Sequence, residues 1–171
     1  MDLRLSPINS EGVILYDLLM NEFGQLDETA ELESAVLVAL CSDAVASESD
    51  TLPTPGSTDL RGWWADENAG AIWPGAWPIG SKLWLLKRSK IVDAGAREGA
   101  TLTRVQTYIA QALQPFIDLK VCSNITINCW EEQGSKIYAQ IVMYRGPKQL
   151  LSLQFAALWN ELYPLQAQQR I

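Results

Sequence analysis

The chain has 171 residues, of which 13 are Lys or Arg and 20 are Asp or Glu, giving a net charge of −7, and it contains no histidine. The missing histidine excludes Ser-His-Asp and Cys-His catalysis and the histidine-based zinc sites of metalloproteases. The negative charge argues against nucleic acid as a partner, because binding a phosphate backbone depends on neutralisation by Lys and Arg. The length predicts a single domain over residues 1–171, large enough to remove about 70% of the unfolded chain's surface from water.

The spacing of the cysteines and the lack of long apolar runs exclude further classes of protein. Cys41, Cys122 and Cys129 show no Cys-x-x-Cys spacing, so we expect reduced thiols rather than a metal site or a disulfide framework, and no cofactor. The chain shows no run of 18 apolar residues and no basic-then-apolar leader, so we expect neither a membrane span nor a secretory signal. The sequence thus predicts an acidic protein that works in the compartment where it is made, or in an assembly built there.

The first quarter of the chain contains one clear helical pattern. Residues 1–26 form an N-terminal segment that either folds on the domain or orders only on assembly, and stretches 2–5 and 12–16 are candidate short strands. From Glu31 to about Ala46, apolar residues recur at i, i+3, i+4, i+7 and i+8, which predicts a helix. Residues 47–56 are polar and contain two prolines, which is typical of an exposed loop.

A tryptophan-rich tract follows between residues 59 and 90 and contains five of the chain's seven tryptophans. Two Trp-Pro pairs and several glycines indicate a long loop, and its indole rings must be buried against the domain itself, a partner protein or a sugar. The end of the tract is locally basic, either as a solvated face or as a docking patch for an acidic neighbour. Its cations are Lys82, Lys87, Arg88 and Lys90.

The last part of the chain has the clearest periodicity. Thr101 is predicted to cap a helix that stops at Pro115. The apolar stripe of this helix consists of Leu102, Val105, Ile109, Ala112 and Leu113.

Three alternating stretches come after this helix. Residues 125–130 and 137–144 flank a turn at 131–136 and predict a β-hairpin, and residues 151–155 alternate again. A helix packed on a three-stranded antiparallel sheet is the natural construction. The predicted fold class is therefore α+β, with helices packed on an antiparallel β-meander and a long Trp-rich loop.

Two motifs in the tryptophan tract resemble a known family. Arg61-Gly62-Trp63-Trp64 and Gly80-Ser81-Lys82-Leu83-Trp84-Leu85-Leu86, preceded by Ser34-Ala35-Val36-Leu37 and Ser42-Asp43, resemble the baseplate wedge proteins of phage Mu-like contractile tails. The resemblance covers about residues 27–160. That family is similar to the sheath-initiator wedge proteins of other contractile tails and type VI secretion systems, which carry Glu-Pro-Arg where a helix meets a strand. Here the position reads Gln114-Pro115-Phe116, so only the proline and the helix end it implies are carried over.

The resemblance implies a structural protein of the virion tail baseplate, assembled in the bacterial host cytoplasm, with a wedge domain over residues 27–163. It implies larger wedge subunits and tail sheath or tube proteins as partners, a template for the first sheath ring, and no reaction or cofactor. Sheath and wedge proteins often join by strand addition, for which the predicted meander offers an edge. The candidate partner-binding residues are Arg61, Trp63, Trp64, Trp84, Lys87, Arg88, Leu151, Leu153 and Phe155.

Two alternatives belong to other functional classes: a carbohydrate-binding module built on the tryptophans and a peptidoglycan-hydrolysing tail protein. Glycoside hydrolysis needs two carboxylates placed across a cleft. Two of the candidates lie in a predicted turn and a third in a predicted loop, which does not favour catalysis. The four candidate carboxylates are Glu98, Asp118, Glu131 and Glu132.

Overall fold

Two antiparallel sheets and two α-helices account for most of the chain that our computed structural model describes, namely residues 5–10, 13–26, 31–64, 66, 71, 77–86, 100–132 and 136–154. In chain order the elements are β1 (Leu5–Ser10), β2 (Val13–Leu18), α1 (Glu31–Cys41), a 3₁₀ helix (Lys82–Leu86), α2 (Ala100–Asp118), β3 (Asn124–Glu132), β4 (Lys136–Arg145) and β5 (Lys148–Gln154).

The strands β3, β4 and β5 form the predicted meander, with β4 in the centre. Ile141 of β4 lies opposite Ile127 of β3 and Leu153 of β5. The register shifts between Met143 and Tyr144, and Gly146 turns the chain into β5 with a φ of 60°. One face of the sheet is therefore apolar along all three strands, as the alternating sequence predicts.

Helix α2 covers this apolar face. Val105, Ile109 and Leu113 are buried and pack in one core cluster with Ile141 and Met143. The same cluster receives Val36 and Leu40 from α1 and Leu83 and Leu86 from the 3₁₀ helix. The predicted α+β class, the stripe on the second helix and the three-stranded meander are confirmed. The long Trp-rich loop is not confirmed, since part of that tract is a 3₁₀ helix and part lies outside the described residues.

The N-terminal hairpin and helix α1 differ from the predicted bounds. β1 and β2 pair in register from Leu5 opposite Leu18 to Ser10 opposite Val13, later in the chain than the stretches 2–5 and 12–16. Residues 1–4, 11 and 12 lie outside the described part. Helix α1 ends at Cys41 rather than near Ala46, because the main chain after it leaves the helix and hydrogen-bonds to Ser81. Residues 47–56 form turns without regular structure, as predicted.

The predicted ends of α2 are wrong. The helix begins at Ala100, so Thr101 lies inside it rather than at the cap, and it continues through Pro115 to Asp118. Proline lacks an N–H group, but its carbonyl accepts a hydrogen bond from Leu119 N at 2.9 Å. Phe116 is buried in the core, and this burial offsets the free-energy cost of having Pro115 in the last turn of the helix. No helix in the described ranges has the length and apolar character needed to cross a membrane.

Truncating Ile109 tests this packing. The side chain is 3% exposed at the centre of the α2 stripe, so Ile109→Ala should lower the free energy of unfolding by about 2–5 kcal/mol. Urea denaturation followed by circular dichroism measures the change. The matched control is Gln111→Ala, an exposed position on the same helix, which should stay within about 0.5 kcal/mol of the parent. Equal stability of both variants would contradict the proposed core.

Candidate functional site

Three segments that are distant in sequence meet beyond the end of α1, and we call their meeting point the motif corner: residues 42–46, 60–64 and 80–84. Ser81 N donates to Ser42 O at 2.9 Å, and Ala44 N donates to Ser81 O at 3.0 Å. Ala46 N donates to Leu60 O at 2.9 Å. The segment after α1 thus lies between the two motif segments and pairs with both.

Gly80 permits the closest approach in the corner. Its φ is +114°, and a Cβ atom there would lie 2.7 Å from both Ser42 O and Ala44 N. L-residues rarely adopt this conformation, and the neighbouring atoms belong to the backbone, so they have little freedom to move away. Any larger residue would separate the strand-like pairing of residues 42–44 with Ser81.

Ser81 connects the corner to α1. Its side chain is buried, and its Oγ donates to Leu40 O at 2.8 Å. Carbonyls in the last turn of a helix lack partners within the helix. Leu40 O is such a carbonyl, because Ala44 N donates to Ser81 O instead. Ser81 Oγ therefore donates the hydrogen bond that Leu40 O would have accepted from Ala44 N if helix α1 had continued.

Trp84 anchors the corner from inside. Its side chain is only 2% exposed and packs with Ala46 and Leu85 in a second buried cluster. The indole Nε1 donates to Ala44 O at 2.8 Å, so the one polar atom of the ring has a partner. This ring is buried against the chain's own core.

Arg61 covers the outer side of Trp84. Its guanidinium carbon lies 4.6 Å from the centre of the Trp84 ring, a cation–π contact, and Nη1 forms an ion pair with the Asp43 carboxylate. Arg61 has a φ of 52°, and its backbone N–H donates to Asp59 Oδ1 at 2.9 Å. The side chains of Arg61 and Asp43 are about one-third exposed. This pair therefore forms the polar border of the corner.

A second ion pair, between Lys82 and Asp50, holds the 47–50 turn. Lys82 Nζ lies 2.7 Å from Asp50 Oδ2, which also accepts hydrogen bonds from Ser47 N and Oγ, both at 2.8 Å. Burial raises the pKa of Asp50, but the hydrogen bonds from Lys82 and Ser47 outweigh it and hold the pKa below its usual value. A lowered folded-state pKa stabilises the fold at neutral pH, and this contribution is lost as the pH falls through that pKa.

An apolar surface borders the motif corner, and we call its four residues the apolar rim: Val45, Leu60, Trp63 and Trp64. Trp64 is 82% exposed, and its ring centre lies 5.5 Å from that of the half-buried Trp63. Leu60 and Val45 are also exposed, and Val45 lies directly against Gly62. Large apolar side chains gathered in one exposed patch are typical of a protein–protein contact.

The predicted site residues thus occupy different environments. Arg61, Trp63 and Trp64 lie together at the surface, Trp84 lies beneath Arg61, and Lys82 is paired with Asp50. Lys87, Arg88, Lys90 and Phe155 lie outside the described residues. Asp43, Val45 and Leu60 complete the site. Only Asp43 carried a sequence signal, through the Ser42-Asp43 motif, and the other two become neighbours by backbone pairing.

The other predicted partner-binding residues lie on β5, at the edge of the meander. Leu151 and Leu153 are half-buried and lie opposite Met143 and Ile141, on the face that α2 covers, whereas Ser152 is exposed. Within the described strands, β5 pairs only with β4, so its other side is an open edge.

The carboxylates considered for hydrolysis do not gather in the described residues. Asp118 ends α2 and accepts a hydrogen bond from Gln114 at 2.9 Å, while Glu131 is exposed near the far end of β3. Glu98 lies outside the described part. Among the residues described, no three His, Cys, Asp or Glu side chains are grouped as metal ligands. The three cysteines form no disulfide, and burial raises the pKa of Cys129 to about 11.

Comparison with known proteins finds relatives that match most of the chain. Residues 32–149 match the family described as phage protein GP46. The chain is also 32% identical over 159 residues to the baseplate protein gp46 of Escherichia phage Mu, a match that covers 93% of this chain and 97% of that protein. All three segments of the motif corner fall inside both matches.

Replacing Gly80 tests the close approach in the corner. Gly80→Ala should lower the free energy of unfolding by about 2 kcal/mol or more, because it adds backbone strain and a clash with residues 42–44. Gly24→Ala is the matched control. Gly24 also has a positive φ, of +73°, but open space around it, so only the strain of about 1 kcal/mol applies. Equal losses in urea denaturation would show that the approach at Gly80 is unimportant.

Proposed function

Because the chain belongs to the GP46 family of phage proteins, the Mu-like baseplate family that its motifs resemble, we propose that it is a structural subunit of a contractile phage tail baseplate. One observation carries this proposal: the 32% identity to a baseplate protein extends over nearly the whole of both chains. In finer detail, we propose that the protein belongs to the baseplate wedge, is assembled in the host cytoplasm, and offers a starting surface for the first sheath ring. No reaction is part of this function.

The motif corner supports a docking function because one set of its residues makes the internal contacts and another set forms the exposed surface. Gly80, Ser81 and Trp84 are committed to contacts inside the corner, and they hold the backbone of residues 60–64 through residues 42–46. The apolar rim then presents Trp64 and its neighbours on a surface that is already ordered. Exposed tryptophans on such surfaces commonly dominate binding energy, because little side-chain freedom is lost on association.

We propose that the apolar rim binds a larger wedge subunit. Arg61 and Asp43 would border this contact and set its orientation, since charged groups at the edge of an interface contribute more to specificity than to affinity. Trp84 would act indirectly, by holding Arg61 in place. Lys87 and Arg88, which lie outside the described residues, are proposed to bind an acidic neighbour.

The open edge of β5 is the proposed contact for a sheath or second wedge strand. Tyr144 O accepts a hydrogen bond from Ser123 N, so the main-chain groups of Tyr144 face β3. Successive residues of a strand alternate in direction, so Met143 and Ile141, which lie opposite Leu151 and Leu153, would direct their main-chain groups toward β5. By the same alternation the N–H of Ser152 points away from the sheet and is available to an added strand.

Replacing Trp64 tests the apolar rim. Trp64→Ala should leave the circular dichroism spectrum and melting temperature unchanged, because the ring is 82% exposed. It should weaken binding to the wedge partner by about 30-fold or more, as for a central interface tryptophan. The partner is obtained by co-purification from cells that express the neighbouring tail genes, and affinity is measured by titration.

The matched control for the rim is Phe23→Ala, a 79% exposed aromatic side chain far from the rim in sequence. It should bind like the parent. If Trp64→Ala also binds like the parent, the rim is not the docking surface. Quenching of Trp64 fluorescence by peptidoglycan fragments, without co-purification of a tail protein, would favour the carbohydrate-binding alternative instead.

A proline at Ser152 tests strand addition. The Ser152→Pro protein should stay folded, because an outward N–H is the position where an edge strand tolerates proline, and it should fail to sediment with co-expressed sheath and wedge proteins. Ser152→Ala, which keeps the N–H, should assemble normally. Leu153→Pro should unfold the sheet, because it removes a bond to β4. Assembly of the Ser152→Pro protein at the parent's level would exclude strand addition at this edge.

A further inference from the structure

A short turn after β2 gathers exposed apolar side chains, and we call residues 20–26 the apolar knob. Met20 and Leu26 pair across its base as an antiparallel bridge. Phe23, in the middle of the turn, is 79% exposed, and Met20 and Leu26 are 64% and 41% exposed. Apolar side chains grouped on one short segment are typical of a contact surface, unlike apolar residues that are scattered singly.

Hydrogen bonds to Asn21 hold the knob in one conformation. Asn21 Oδ1 accepts from the backbone N–H groups of Phe23 and Gln25, both at 3.0 Å. Asn21 N donates to Gln25 O at 2.7 Å, and Gly24 N donates to Asn21 O at 3.0 Å. Phe23 is therefore displayed on a turn that is already ordered, so little conformational entropy is lost when the knob binds.

An apolar groove of about 910 Å³ lies next to the knob. Its wall includes Leu18, the last residue of β2, and the knob begins two residues later, within about 7 Å of chain. Val38 of α1 and Leu119, just after α2, stand on the same walls and are 42% and 52% exposed. Phe23 does not fill the groove of its own molecule, since its ring is in solvent.

The charges of the knob and the groove are complementary. Arg145 is the one ionisable side chain among the described residues on the groove walls. Its Nη2 and Nε donate to Val121 O at 2.8 Å and 3.2 Å, which orients the guanidinium. The one ionisable side chain of the knob is Glu22, which is exposed beside Phe23. Opposite charges at the border of an apolar contact favour one partner and one orientation.

We propose that two copies of this chain form a dimer in which the knob of each copy enters the groove of the other. Phe23 would pack against Val38 and Leu119 of the second copy, and Glu22 would pair with its Arg145. The knob and the groove are neighbours in each molecule, so one two-fold axis brings both contacts together. Two-fold dimers are the commonest homo-oligomers.

The dimer is expected to be weak and reversible. The net charge of −7 opposes association of two copies, and two short contacts bury less area than a permanent interface. None of the four residues of the apolar rim lines the groove, so the rim stays open to the proposed wedge partner in the dimer.

Sedimentation equilibrium of the isolated full chain tests the proposal. The parent should pass from monomer to dimer as its concentration rises. The knob variant carries Phe23→Ala, and the groove variant carries Val38→Gln and Leu119→Gln. Each should weaken the dimer by about 100-fold, because two contacts are lost and each contributes about tenfold. These side chains are exposed in the monomer, so the circular dichroism spectrum should not change.

Mixing the two variants distinguishes a knob in a groove from a contact between two knobs. The knob variant keeps an intact groove, and the groove variant keeps an intact knob. A mixed dimer therefore has one intact contact, whereas a dimer of either variant alone has none. An equal mixture should consequently form dimers at concentrations at which each variant alone is monomeric.

A pair of charge variants tests the ion pair. Glu22→Lys should weaken the dimer by about tenfold, because it places a like charge beside Arg145 in both contacts. Glu48→Lys makes the same change in net charge at an exposed position in the 47–50 turn. It should dimerise at least as well as the parent, since it lowers the repulsion between two acidic copies.

Three results would overturn the proposal. The first is a parent that stays monomeric at every concentration. The second is an equal mixture of the knob and groove variants that forms no more dimer than either variant alone. The third is a dimer that survives Phe23→Ala but is lost in Leu60→Gln, which would place the contact between copies at the apolar rim. These measurements use the isolated protein without tail partners, so their failure would leave the proposed baseplate function intact.

Discussion

The close approach of Gly80 to the chain after α1 is the constraint on which the motif corner depends. A backbone-to-backbone contact that would place a Cβ atom 2.7 Å from two main-chain atoms leaves room only for hydrogen. The pairing of Ser81 with residues 42–44, the cap on α1 and the indole bond of Trp84 to Ala44 all require that spacing. The end of helix α1 is therefore decided by a tertiary contact, and not by a local stop signal.

The residues of the motif corner fall into two sets, one buried and one exposed. Gly80, Ser81 and Trp84 make contacts inside the corner. Trp64 and its neighbours remain in solvent, although large apolar groups favour burial. Solvent exposure of such groups has a free-energy cost that burial in an assembly would remove. Arg61 lies between the buried and the exposed residues, because its guanidinium stacks on the buried Trp84 ring and pairs with Asp43. These two contacts fix the side chain of Arg61 at the surface.

The sheet shows the same division between interior and edge. Its inner face is filled by α2, and its β5 edge keeps main-chain groups free along the described strands. Open edges favour aggregation, and the net charge of −7 opposes it by repulsion between copies. Under the proposed strand addition, this repulsion would keep the β5 edges of separate copies apart until a partner strand pairs with the edge.

The sequence by itself determined the α+β class, the buried stripe of α2, the three strands of the meander and the family, because these depend on local periodicity and on short motifs. The tertiary structure alone decided where α1 and α2 end, since pairing with Ser81 ended one helix early and burial of Phe116 carried the other past Pro115. It also decided which tryptophans are displayed. Trp64 and Trp84 are equally apolar in sequence, but only the packing of residues 42–46 against both motif segments places one outside and the other inside.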